Sequence, residues 1–166
     1  MGVVRPHLWF HDRAEEAAAF YATVIPNSSV TRVVSAPDGI PGVEAGAPFI
    51  VEFVLDGMPV TALNAGPALT LDDAFSMYLT CDDQQEVDHY WEVLTADGGS
   101  PGRCGWLRDR FGLSWQVVPR ALDEIMTRAD PAAVARATTV MLGMGKLDVA
   151  ALEAAFAGDQ QVAPRT

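Results

Sequence analysis

Cysteine, histidine and cationic side chains are all scarce in this chain, and each scarcity removes a class of function. Only two cysteines occur, Cys81 and Cys104, far apart and without closely spaced histidines. Neither a zinc knuckle nor a disulfide framework can be built from them, and both are expected to be reduced, structural thiols. Eleven Lys and Arg stand against 22 Asp and Glu, a formal charge of −11. That balance repels phosphate backbones and anionic bilayer surfaces, so nucleic acid and membrane are not expected partners. No apolar run approaches the roughly 18 residues of a membrane span, and Met1 to Pro6 lacks the long apolar segment of a secretory signal. A cytoplasmic location is the expectation.

What is present is enough apolar material for a full core: 166 residues, 49% hydrophobic, fitting one domain or one domain with an appendage. Val3 to Phe10 reads as a strand, and Asp12 with Glu15 three positions later reads as a helix start before Phe20, Tyr21 and Val24. Pro26-Asn27 ends that helix. Ser28 to Ser35 and Phe49 to Leu55 read as strands around a Gly- and Pro-rich loop, and Asp56-Gly57 is a hairpin signal leading into Met58 to Asn64. The order then recurs. Ser76 to Cys81 is a strand, Asp83 and Glu86 repeat the helix start, and Val87, Tyr90, Trp91 and Leu94 fall at helical spacing. Asp12 and Glu15 map onto Asp83 and Glu86 with one offset, 83 − 12 = 86 − 15 = 71, which an internal duplication explains. The second copy reads as shorter, with only Gly102 to Leu107 and Leu113 to Val118 as strands after its helix. Beyond Pro119, Ala121 to Arg128, Pro131 to Leu142 and Asp148 to Phe156 read as Ala-rich helices started by Asp130-Pro131 and Asp148, and the tail after Gly158 as frayed.

Leu8-Trp9-Phe10, Val51 to Gly57, Ala62-Leu63-Asn64, Glu86 to Trp91, Cys104 to Leu107 with Asp109, Gly112 to Pro119 and Lys146-Leu147-Asp148 together resemble the PhnB-like branch of the vicinal oxygen chelate superfamily. That superfamily includes glyoxalase I, extradiol dioxygenases and bleomycin-resistance proteins, and the branch often carries the label 3-demethylubiquinone-9 3-methyltransferase. The resemblance implies an α+β fold: two βαβββ modules, about 3–65 and 74–119, forming a curved mixed sheet with a cup. A helical extension over 120–157 and a flexible tail over 158–166 complete the chain. It also implies a homodimer and a small-molecule ligand in the cup. S-adenosylmethionine is not expected, because neither helix follows the glycine-rich turn that usually holds such a cofactor.

Metalloenzymes of the superfamily carry His or Glu ligands facing the cup. The matching positions here are Arg5, Ser76, Thr61 and Gln116, a set without normal donors for a divalent ion, so no strong metal site is expected. His7, Glu52 and Gln116 are the only metal candidates left. His7 reads as a hydrogen-bonding residue of a mixed cavity or as a ligand in a shifted register. Glu52 is the candidate catalytic residue if enclosure raises its pKa, and otherwise a partner for Arg5 or another cation. His7, Trp9, Asn64, Ser76, Tyr78, Trp106 and Gln116 are the candidate ligand-binding residues, a polar pocket with an aromatic wall. Cys104, flanked by Arg103 and Arg108 but by no histidine, reads as structural more readily than as a nucleophile. Three functions follow: ligand binding with, if any chemistry, a metal-independent isomerisation or proton transfer; sequestration of a ligand without chemistry; or interaction with a partner through the C-terminal helices over a vestigial cup.

Overall fold

Alternating apolar and polar residues in short runs, each ended by Gly, Asp or Pro, give strands with one face for a helix and one left open. The computed structural model describes residues 4–159. Its contacts divide into two units, Met1–Asp72 and Asp73–Thr166, and each contains one copy of the repeated motif.

In the first unit, β1 (His7–Phe10), α1 (Ala14–Val24), β2 (Ser29–Ser35), β3 (Pro48–Leu55) and β4 (Met58–Asn64) form a sheet of order β1-β4-β3-β2. β1 runs parallel to β4 and the other pairs are antiparallel. The strand expected from Val3 begins only at His7, and Val3 itself lies outside the described residues. Leu8, Phe10, Val51, Phe53, Val60 and Ala62 are buried together with Ala14, Ala17, Ala18 and Tyr21 of α1. Asp56 and Gly57 take φ of 44° and 77°, the left-handed pair that a tight hairpin between β3 and β4 requires.

Asp12 does not cap α1. Arg13 occupies the cap position without a side-chain bond, and the Ala14 N–H donates instead to Asn64 Oδ1 at 2.8 Å. An acceptor from a neighbouring strand, already inside the core, satisfies the helix start better than a solvated aspartate could.

In the second unit, β5 (Met77–Cys81), α2 (Gln84–Thr95), β6 (Ser100–Pro101), β7 (Trp106–Arg108) and β8 (Ser114–Pro119) form a sheet of order β5-β8-β7-β6. The two topologies are identical, so the duplication is complete. The strand missed in the sequence is β6, two residues long and containing a proline, too short to leave a period. Gly102 to Gly105, read as strand, is instead a turn: Cys104 and Gly105 both have positive φ. Here Asp83 does cap its helix, accepting from the Glu86 N–H at 2.9 Å, while Glu86 Oε2 accepts from the Asp82 N–H at 2.7 Å.

The C-terminal helices are α3 (Arg120–Met126), α4 (Pro131–Gly143) and α5 (Val149–Ala157), with Asp130 and Asp148 as the side-chain caps of the latter two. They belong to the second unit. Leu122, Ile125, Ala137, Leu147 and Leu152 bury against Val118 at the end of β8. Gly105 shows how closely they approach, since a Cβ there would lie 2.8 Å from the Val117 carbonyl oxygen and 3.0 Å from Leu147 Cδ1. The frayed tail expected after Gly158 falls, from residue 160 onward, outside the described residues. Among the described residues no helix is long and apolar enough to cross a membrane.

Candidate functional site

Strand register places one row of side chains across the open face of each sheet. In the first unit His7 pairs with Thr61 and Thr61 with Glu52, which is followed by Arg32. In the second, Tyr78 pairs with Gln116 and Gln116 with Trp106. The two rows are equivalent by the duplication, because His7 plus 71 is Tyr78.

The first row is an ion-pair network. Arg32 donates to both carboxylate oxygens of Glu52, Nε to Oε2 at 3.0 Å and Nη2 to Oε1 at 2.9 Å, and Arg5 lies 3.4 Å from Oε1. The Arg32 guanidinium holds the Glu52 carboxyl below its ordinary range, against the smaller opposing effect of burial. Glu52 is thus the partner of Arg5 and Arg32, and the enclosed carboxyl with a raised pKa is not found. His7 is exposed. Trp9 Nε1 donates to the Gly66 carbonyl at 2.9 Å. Asn64 lies on the opposite, α1-facing side: besides accepting from Ala14, its Nδ2 donates to the Pro48 carbonyl at 2.9 Å. Both ends of its amide are therefore engaged with backbone, which removes it from the open face where the other pocket candidates were expected.

The second row is different in kind. Gln116, on the strand between β5 and β7, donates from Nε2 to Ser76 Oγ at 2.9 Å. In the register Gln116 stands between Tyr78 and Trp106. Tyr78 is half-exposed and its hydroxyl donates to Asp123 Oδ1 of α3 at 2.6 Å. Burial first, and Asp123 second, push the phenol well above its ordinary value, so it stays protonated. Two residues beyond Trp106 on the same strand face, Arg108 donates from Nη2 to Asp73 Oδ1 at 2.8 Å, and the same oxygen accepts from the buried Ser114 Oγ at 2.6 Å. Arg108 and then Ser114 lower the Asp73 pKa. An open groove of about 560 Å³ runs along this edge, lined by Trp106, Arg108, Arg103, Asp73 and the Ser100–Gly102 segment.

The structure thus brings Ser76, Tyr78, Trp106 and Gln116 together on one sheet, and places His7, Trp9 and Glu52 on the other sheet. Among the described residues no three His, Cys, Asp or Glu side chains converge as a metal site. Sequence reasoning missed Asp73, Arg108 and Asp123 as site residues. Arg108 was recoverable from strand alternation after Trp106; Asp123 reaches Tyr78 across 45 positions and left no local signal.

Trp115 is 2% exposed, on the α2-facing side, and its Nε1 donates to Asp109 Oδ2 at 2.8 Å. Asp109 Oδ1 accepts from the Phe111 and Leu113 N–H groups at 2.8 and 3.0 Å, so this buried carboxylate builds the β7–β8 turn and sets the register of the row. Cys81 is fully buried, which together with Glu86, Asp82 and Asp83 pushes its thiol up to about 12.

A second groove, of about 450 Å³, lies between α4 and α5, walled by Ala151, Ala154 and Ala155. Among the described residues its one cation is Arg136, which is tied to the Ala155 and Phe156 carbonyls at 3.1 and 2.7 Å. It presents no comparable convergence of polar groups.

The sequence profile of the family described as 3-demethylubiquinone-9 3-methyltransferase matches residues 3–118. No curated protein matches the chain. Among solved structures, a PhnB protein from Bacillus cereus, described under the same methyltransferase name, is 26% identical with a TM-score of 0.64, covering 71% of this chain and 99% of its own. A protein from Pseudomonas aeruginosa is 19% identical with a TM-score of 0.59, over 72% of this chain and 98% of its own. The fosfomycin resistance protein FosX from Listeria monocytogenes is 17% identical with a TM-score of 0.54, over 76% of this chain and 98% of its own. These last two are likenesses of fold.

Proposed function

The chain belongs to the 3-demethylubiquinone-9 3-methyltransferase family, the PhnB-like branch of the vicinal oxygen chelate superfamily, and on that premise we propose that it binds a small organic molecule on the open face of its second sheet without acid–base chemistry. The observation that carries this reading is the Tyr78–Gln116–Trp106 row. A central amide with a fixed Nε2 leaves its carbonyl oxygen as an oriented acceptor, and the two aromatic neighbours supply apolar walls, the composition of a small-molecule site. General acid–base work needs a group whose pKa lies near the working pH. At the second sheet, where the site is placed, the Tyr78 phenol moves upward and the neighbouring Asp73 carboxyl downward, away from that range. Binding and sequestration therefore fit better than proton transfer.

The family name describes methyl transfer, and the helix starts do not fit its cofactor. S-adenosylmethionine is usually anchored by free N–H groups at a glycine-rich strand-to-helix turn. At α1 the first helical N–H is taken by Asn64, and at α2 the cap bonds are made by Asp83 and Glu86.

The test is a thermal-shift and fluorescence survey of acidic, neutral and basic ring compounds. A folded-state ligand raises the melting temperature by mass action. We expect a hit whose affinity falls at least about tenfold in Gln116→Ala and in Trp106→Ala, a loss of about 1.4 kcal/mol, and which is recovered chemically unchanged. Hits indifferent to both substitutions would overturn the site, and a converted hit would overturn the absence of chemistry.

A further inference from the structure

The charge of the second unit's groove is opposite to that of the chain. The protein carries −11 overall, yet the groove beside Trp106 is lined by two guanidinium groups, Arg103 and Arg108, and by one carboxylate, Asp73. That carboxylate is already engaged by Arg108 and Ser114. Arg103 donates from Nη2 to the Leu142 carbonyl at 2.8 Å, a bond that engages one edge of its guanidinium and neutralises none of its charge. A guanidinium carries five N–H donors, so both arginines keep donors for a further acceptor. Trp106, partly buried, lines the same groove. A volume of about 560 Å³ accommodates a bicyclic ligand.

Resting on the small-molecule reading above, we propose that this groove selects an organic oxyanion: a flat apolar body lies against Trp106, and its anionic head group is held by Arg103 and Arg108. Forked N–H donors match the paired oxygens of a carboxylate, and such charge-assisted bonds are roughly twice as strong as neutral ones. A cationic ligand of the same shape would meet two like charges. The strongly acidic chain nevertheless slows approach of such an anion at low salt, so binding should gain from moderate ionic strength before screening weakens the contact itself.

Three probes of one shape separate the possibilities: naphthalene-2-carboxylate, naphthalene-2-carboxamide and naphthalene-2-carboxamidine, titrated calorimetrically against the full chain. The carboxylate should bind at least about tenfold more tightly than the carboxamide. Arg108→Gln and Arg103→Gln should each bring it towards the carboxamide's affinity while changing the carboxamide less than about twofold, a pattern that a general loss of fold would not produce. Two substitutions guard against one disturbing the Asp73 contact. A carboxamide or carboxamidine that binds as tightly as the acid, with sensitivity to Trp106→Ala, overturns the oxyanion preference and leaves the site intact. If none of the three binds with dependence on Trp106 or Gln116, the oxyanion preference and the small-molecule reading both fall.

Discussion

Replacing Asp109 by asparagine changes one atom's chemistry in a turn where three donors converge. Oδ1 serves the Phe111 and Leu113 N–H groups and Oδ2 serves the Trp115 indole. The asparagine oxygen can keep the two backbone donors, but its NH2 then faces the indole N–H, and Trp115 is too deeply buried for water to replace the bond. Leaving that donor unmatched costs about 1–3 kcal/mol, and weakening the other two bonds from charged to neutral adds about 1 kcal/mol, so the expected loss is about 2–4 kcal/mol. Urea denaturation followed by fluorescence measures it. A double-mutant cycle with Trp115→Phe isolates the cause, because the asparagine should cost at least about 1 kcal/mol less once no indole N–H is present. An Asp109→Asn protein within about 0.5 kcal/mol of the parent, or one equally destabilised in both backgrounds, would refute the account of Asp109 as the carboxylate that builds this turn.

Two glycines of this region should differ. Gly112 (φ 90°) faces open space, so Gly112→Ala costs only backbone strain of about 1 kcal/mol. Gly105→Ala adds a Cβ 2.8 Å from the Val117 carbonyl and should be clearly more destabilising; equal losses in urea would contradict the close packing drawn there. Cys81 predicts an alkaline limb. Its folded pKa is raised to about 12 from 9.0, so the fold favours the thiol, and that stability is complete below pH 9 and lost as pH rises towards 12. Cys81→Ala should flatten the stability profile between those values, and an unchanged slope would refute the assignment.

Local signals made most of the fold legible. The 71-residue offset exposed the duplication because identical modules need the same start residues. Asp83, Asp130 and Asp148 acted as caps because a cap is a contact within four residues. Asp12 failed for the complementary reason, since Asn64 reaches the same helix from another strand. β6 failed because two residues carry no periodicity.

The site divides along the same line. Composition and charge by themselves set the expectation against nucleic-acid partners, and the motif residues by themselves identified the family. Alternation along single strands also determined that Ser76 and Tyr78 share a face. Only the tertiary structure decided that Gln116 stands between Tyr78 and Trp106, that Glu52 is held by Arg32 and Arg5, and that Asp123 holds the Tyr78 phenol. Those contacts span 10 to 47 positions and depend on strand register. A one-residue slip in register would turn each side chain to the opposite face. Short-range chemistry is written in neighbouring residues, and pairing between distant strands is settled by the packing of the whole sheet.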